Sequence, residues 1–419
     1  MIPPGRAGRA DGGGRGEIGT ALRSSPDSAG DGIGVLRDPA VIRERCRNIL
    51  AAADAGRTRH LAVDRSKLEA CATLVAEVTR RRYPSLVIPY HSRWRHFEAG
   101  GVDRAAVLDR ALDGCSAIEA ALARIDLTIA SVLVDAGAGA RWTWVEQETG
   151  GRYARSEGLG VASFRAFLAG TFSATPGDPA RADARALARI DAATLAPIFQ
   201  ASEANPLVGL DGRAALLRRL STVDARPSLP FLPLIERGGD VPAASLLAVL
   251  LERFGTIWPN GASLGGVALG DTWAHPSAGG EGVSEGYVPF HKLSQWLAYS
   301  LFEPFERAAQ RIVGRDVLTA LPEYRNGGLL LDTGVLALRD PADARRRHAV
   351  GSELVVEWRA LTVALVDELA PRIRPKLGRP DLPLACILEG GTWAAGRETA
   401  ARLRGGEPPL AIDSDGTVF

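Results

Sequence analysis

FHKLSQWLAYSLFEPFERAAQRIV, residues 290–313, is the stretch whose period decides the fold class. Its apolar residues Leu293, Trp296, Leu297, Leu301 and Phe305 recur three and four apart, the spacing of one face of an α-helix rather than of a strand. Lys292, Gln295 and Tyr299 share a second side, with His291 at its start. On an ordinary surface helix that side faces water. Trp296 and Tyr299 sit badly against solvent, so the sharper expectation is a polar side turned toward a ligand.

The helical period extends outward in both directions. PAVIRERCRNILAAADAG (39–56) carries Val41, Cys46, Ile49 and Leu50 on one side and ends on Gly56. RSKLEACATLVAEVTRRRYP (65–84) stripes Leu68, Cys71, Leu74, Val75 and Val78 and stops before Pro84, and the Ala/Leu/Arg-rich 102–137 continues the style. SELVVEWRALTVALVDEL (352–369) has Ser352 as N-cap and Pro371 as its expected stop. Only RWTWVEQETGGRYARS (141–156) alternates, with a TGG turn, and it predicts a β-hairpin. Strand signal also touches LLLDTGVLAL, and no βαβ rhythm is present. The fold class is therefore mainly α with a small β-hairpin.

Residues 1–34 are Gly-, Arg- and Ser-rich without apolar period and read as a disordered leader before a single helical domain at 35–419, two lobes of which would divide near 140–160. Gly255–Gly286 reads as a long structureless loop, a candidate lid over an active site.

Composition excludes several classes of function. Fifty basic against 49 acidic residues leave a net charge of +1, which marks neither nucleic acid nor an anionic membrane as a partner. The apolar runs are short and interrupted by charge, and the first residues contain no apolar signal core, so a cytoplasmic protein is expected. Cys46, Cys71, Cys115 and Cys386 are scattered without metal-ligand spacing, and neither a metal nor another cofactor is expected. GGVALGDT lacks the Lys-Ser/Thr of a P-loop, and GEGVSEG follows no strand, so no nucleotide motif stands. Only three of the 50 basic residues are lysine, Lys67, Lys292 and Lys376, which draws attention to the one on the unusual helix.

Two further stretches concentrate chemistry. In ALPEYRNGGLLLDTGVL (320–336), Glu323, Tyr324, Arg325 and Asn326 stand in a row between apolar blocks. A capped helix end with a Glu323–Arg325 ion pair is the plain reading; a catalytic loop, with Gly327 and Gly328 turning the chain at positive φ or approaching a ligand, is the alternative. YPSLVIPYHSRWRHFEAGGVDR (83–104) interleaves His91, Arg93 and His96 with aromatic residues, either as a solvated basic patch or as a site for an anionic or sugar-like ligand. Glu353 and Glu357, four apart on one helix, face solvent or orient a cation such as Arg325.

These residues resemble a known family. PYHSRWRHFEAGG, LGDTWAHP, PFHKLSQWLAYSL, LTALPEYRNGGLLLDTGVL, GSELVVEWRALTVALVDELA, LEGGTWAAGRETA and IDSDGTVF are similar to the uracil-catabolism proteins of fungi and bacteria, which accompany a cyclohydrolase-like enzyme and a uracil phosphoribosyltransferase. More distantly, His291-Lys292-Leu293-Ser294-Gln295, Leu318-Thr319, Glu323-Tyr324-Arg325 and Gly334-Val335-Leu336 resemble, in order and spacing, the queuosine-salvage N-glycosidases, all-helical relatives of DNA glycosylases. This chain departs from them with Glu at 323 where they carry Asp, with Asn326-Gly327-Gly328 after the arginine, and with Leu-Ser at 293 and 294.

The resemblances imply a DNA-glycosylase-like helical architecture. They also imply a uracil-catabolism hydrolase that cleaves the N-glycosidic bond of ribosylurea or its 5′-phosphate, a small nucleoside or nucleotide derivative. Glu323 would stabilise an oxocarbenium-like state or activate water. Lys292 would hold the phosphate or polarise the leaving urea, and Arg325 would orient Glu323 or the sugar hydroxyls. Tyr324, Asn326, His91, Arg93, His96, Asp271 and Gln295 would bind substrate, with Glu353 and Glu357 behind them. Contact with other uracil-catabolism enzymes is a further expectation. The competing expectations are a ureide or amide hydrolase and a non-catalytic nucleotide-binding partner of the pathway.

Overall fold

A computed structural model of the protein describes residues 26–413 apart from 136, 140, 259 and 260. Residues 1–25 of the expected leader lie outside the described residues, and its remainder enters a helix, Pro26–Leu36. The chain is mainly helical, as the spacing predicts.

At its centre runs the 25-residue helix Glu353–Leu377, whose residues are buried without a break from Leu354 to Val366. A helix apolar on nearly every side has to lie inside other helices. Pro39–Asp54 and Leu68–Arg82 pack along it, and the short helix Tyr324–Asp332 lies between it and Trp393–Arg404. Lys292–Arg307 packs against Ala117–Leu133 and Ala243–Arg253.

Pro371 does not end the central helix, which continues through both Pro371 and Pro375. Both prolines are exposed, so water can bond the carbonyls that their missing N–H groups leave free. The Lys292 helix is shorter than its sequence pattern, closing at Arg307 and giving way to a strand, Arg311–Val313.

The described residues form six two-stranded sheets and no larger one. The expected hairpin pairs Thr143–Val145 with Arg152–Ala154, and Trp142 and Trp144 turn inward, where their indole N–H groups donate to Phe199 O and Ile198 O, both at 2.9 Å. Leu336–Leu338, in the segment with expected strand signal, pairs antiparallel with Leu61–Val63.

Gly255–Gly286 is not structureless. It holds a small hairpin (Ser263–Leu264 with Val267–Ala268), and its strand Thr272–Ala274 pairs with Tyr287–Pro289, directly before the Lys292 helix. No helix among the described residues is long and apolar enough to cross a membrane.

Gly327 and Gly328 do not turn the chain. Both are helical residues of Tyr324–Asp332, and neither has positive φ. A Cβ at Gly327 would lie 2.7 Å from Trp358 Cε2 and 2.8 Å from Thr362 Oγ1, so the glycine permits this helix to press onto the central one. The Trp358 indole N–H donates to Gly327 O at 3.1 Å across the contact.

Two alanine substitutions are therefore expected to act in opposite directions. Gly327→Ala overpacks a rigid contact and costs about 1–3 kcal/mol. Gly212→Ala, on an exposed helix position with nothing within 4 Å of the added Cβ, gains about 0.5–1 kcal/mol. Denaturant melts of the two variants read both signs directly.

Candidate active site

The helix Tyr324–Asp332 needs a cap, because its first N–H groups have no partner within the helix. Glu323 supplies it: its carboxylate accepts from Asn326 N at 2.6 Å and from Arg325 N at 2.8 Å. Of the two readings of this stretch, the cap is real, and the Glu323–Arg325 side-chain ion pair is not among those formed by the described residues. The same carboxyl, 9% exposed, lines a cavity of about 360 Å³. Burial pushes its pKa up, opposed by the two backbone N–H groups and the Lys292 charge.

Lys292 lines that cavity too. Burial draws its ammonium pKa down, with Glu323 as the strongest opposing charge. Among the described residues its ammonium has no carboxylate within 4.0 Å. Thus the structure brings Glu323, Lys292 and Arg325 together with Tyr324, His91 and His96.

The His91 side stands on a buried carboxylate absent from the expected set. Glu389 lies 2.7 Å from His91 Nδ1, and that hydrogen bond holds Glu389 below the usual carboxylate range although its burial acts the other way. Glu389 sits in a π-helical turn, Leu388–Thr392, a local widening of the helix that re-aims one side chain.

His96 is drawn down to about 4 by burial and by the nearby Arg93 guanidinium, so its imidazole is neutral at pH 7. Asp135, also on the cavity wall, lies 3.0 Å from Arg93 Nη1. Burial works against its ionisation, but Arg93 above all, with a Ser156 hydrogen bond, keeps it below the usual range. Glu157 and Arg397 pair at 3.1 Å on the same wall.

Several expected binding residues stand behind the cavity instead. Arg93 is fully buried and holds Ser131, Asp135 and His96. Gln295 is fully buried, with its amide donating to Thr319 Oγ1 and Phe290 O and its carbonyl accepting from Thr319 N, so it ties the Lys292 helix to the extended segment that leads into Glu323. Asn326 is buried and donates to Leu321 O at 3.0 Å.

Asp271 meets Arg359 in a bidentate pair at 2.7 and 2.6 Å, and accepts from Lys292 N at 3.0 Å. It caps the Lys292 helix from the bend just before the strand Thr272–Ala274, because the residue in the cap position, His291, has φ 47 and makes no side-chain cap bond. No described residue of Gly255–Gly286 lines the cavity.

Glu353 and Glu357 do not orient Arg325. Glu353 pairs with Arg59 at 3.3 Å, and Glu357 accepts from Leu61 N at 2.6 Å. With His275 they form the one His/Cys/Asp/Glu group among the described residues whose ligand atoms, all within 4.8 Å, could surround a metal. Ser277 N–H donates to His275 Nδ1 at 3.1 Å, which leaves the ring proton on Nε2, facing Glu357 Oε2 at 3.6 Å. At that separation no hydrogen bond forms, and His275 Nε2 and Glu357 Oε2 are both buried without a hydrogen-bond partner among the described residues.

Asp135, Arg155 and Glu389 are cavity or cavity-supporting groups that sequence reasoning missed. Asp135 is the acid that follows the apolar end of the 117–134 stretch, and Glu389 lies in the conspicuous LEGGTWAAGRETA; neither has a partner close in sequence.

Comparison with known proteins adds a family. Residues 35–419 match the family described as "Protein of unknown function (DUF1688)". Protein urg3 of Schizosaccharomyces pombe is 38% identical over 90% of this chain and 96% of its own length. Uracil catabolism protein 4 of Lachancea kluyveri is 35% identical over 87% of this chain and 93% of its own.

Removing Asp271 strands the buried Arg359 charge and uncaps the Lys292 helix. Asp271→Ala is expected to cost about 3–5 kcal/mol, the usual penalty for breaking a buried pair. Urea-denaturation midpoints of Asp271→Ala and of the doubly altered Asp271→Ala/Arg359→Met check this: the double variant recovers part of the loss because no unpaired charge remains.

Proposed function

The chain belongs to the DUF1688 family, and on that footing we propose that it acts in uracil catabolism as an N-ribosyl hydrolase, releasing urea from ribosylurea or its 5′-phosphate. The relative named for uracil catabolism supports the pathway. The observation that carries the chemistry is one cavity lined by Glu323 and Lys292, a carboxyl with its pKa raised and an ammonium with its pKa lowered. Opposite shifts of this kind suit a base and an acid working on one bond.

In this reading a water attacks the anomeric carbon of the ribose and passes a proton to Glu323, whose raised pKa makes it a stronger base than a free carboxylate. The C–N bond breaks with its electron pair going to nitrogen, and Lys292 gives that nitrogen a proton, so urea leaves neutral. Proton return from Glu323 to Lys292 resets the site. The sugar passes through an oxocarbenium-like state. Asp135, kept ionised beside Arg93, supplies negative charge on the wall, and His91, whose Nδ1–H donates to Glu389, offers its other ring nitrogen as an acceptor to the sugar hydroxyls or the urea N–H groups. A helical frame with both working groups at helix starts also supports the DNA-glycosylase-like architecture as part of this proposal.

Incubation with synthetic ribosylurea and its 5′-phosphate tests the reading. Wild type is expected to release urea from at least one of them, while Glu323→Gln lowers the rate by about 10²–10⁴-fold with its circular dichroism unchanged. Lys292→Met falls in the same direction. Release of no urea from either compound, or full release by Glu323→Gln, overturns it.

A further inference from the structure

Besides Lys292, two cations on the cavity wall have no carboxylate within 4.0 Å among the described residues. Arg325 is 6% exposed, yet its guanidinium has no carboxylate within 4.0 Å among the described residues. It donates to Gly406 O at 3.3 Å and lies 4.6 Å from the centroid of the Tyr324 ring. Buried Arg104, Arg226 and Arg359 each meet a carboxylate, at 2.5, 2.6 and 2.6 Å. An uncompensated buried charge is costly, and a site that binds an anion recovers that cost in the complex.

Arg155 is the second cation. Its side chain makes no hydrogen bond or ion pair among the described residues, and its backbone is held at φ 53, which a side-chain-bearing residue rarely adopts. It opens the helix Arg155–Leu168, where Ala154 in the cap position has no side chain to accept from the first turn. Tyr324 stands with both arginines: burial raises its phenol pKa while the charges of Arg325 and Arg155 act against that rise, so it stays protonated at pH 7 and able to donate. The lining carboxylates do not answer these cations. Asp135 and Glu157 are taken by Arg93 and Arg397, Glu323 caps its helix, and Glu407 lies within 4.0 Å of no cation among the described residues.

We propose that Arg325, Arg155 and the Tyr324 hydroxyl form a subsite for the phosphomonoester group of the substrate. Two planar guanidinium forks and one O–H donor match the three terminal oxygens of a phosphate, and the dianion balances both charges. Lys292 and Glu323 are then left to the other end of the sugar. This inference rests on the reading of the cavity as a ribosyl site and selects the phosphorylated form of its substrate.

Calorimetric titration of the full chain with ribose 5-phosphate, ribose and orthophosphate tests the subsite without any turnover. Wild type is expected to bind ribose 5-phosphate at least about tenfold more tightly than ribose, the effect of one good charge-assisted contact. Arg155→Ala, at an exposed position that leaves the core intact, and Arg325→Gln each reduce that preference, and the double variant abolishes it; Glu323→Gln retains it. Equal binding of the two sugars by wild type, a preference surviving in the folded double variant, or orthophosphate bound as tightly as ribose 5-phosphate overturns the proposal. An intact phosphate preference with no urea release would sink the hydrolase reading and leave the phosphate subsite standing.

Discussion

The buried pair between Asp271 and Arg359 is the contact on which the geometry of the cavity depends. Arg359 comes from the second turn of the central helix, and besides forking onto Asp271 it donates to Pro322 O, the residue before Glu323. Asp271 in turn accepts from Lys292 N. One ion pair therefore fixes the starts of the two helices that carry Glu323 and Lys292, segments about thirty residues apart in sequence. The Arg359 guanidinium also lies 4.2 Å from the Phe290 ring centroid, a low-dielectric surrounding in which the pair is strongly coupled and in which either half alone would be costly. Gln295 repeats the arrangement one turn further on, through Thr319.

Glycines set the remaining tolerances. A Cβ at Gly396 would fall 2.1 Å from Arg325 O, so the helix Trp393–Arg404 touches the backbone of the Glu323 segment directly. With Gly327 against Trp358 on the opposite side, the short Tyr324 helix is clamped between two neighbours and cannot relax toward either. Close packing of this kind holds a carboxyl in one place even though it caps a helix and faces a cavity at once. The two duties are compatible because backbone N–H groups stabilise the carboxylate form while burial opposes it, leaving a group whose protonation responds to what enters.

The helices were legible because their apolar residues repeat at the helical spacing, and the hairpin because Trp142 and Trp144 alternate with polar neighbours. The cluster of Lys292, Glu323 and Arg325 was legible from its order along the chain and its resemblance to N-glycosidases. What sequence could not separate was the lining of the cavity from its support. Asp271, Gln295, Asn326 and Arg93 have the residue types of a binding site, but each spends its polar atoms on backbone or on another side chain, a distinction set by contacts far apart in sequence. Gly327 and Gly328 misled for a related reason: a glycine needed for a close helix contact is spelled the same way as one needed for a turn.

An N-ribosyl hydrolase and a ureide hydrolase would use these carboxyls and cations alike, and they differ in which bond receives the oxygen of water. Turnover of ribosylurea 5′-phosphate in water enriched in heavy oxygen, with the sugar product reduced at once to fix its C1 oxygen, separates them most directly. Heavy oxygen on C1 of the sugar and none in the released urea is the predicted result. Heavy oxygen in carbamate or carbon dioxide, with C1 unlabelled, would contradict the account and place the attack on the ureide.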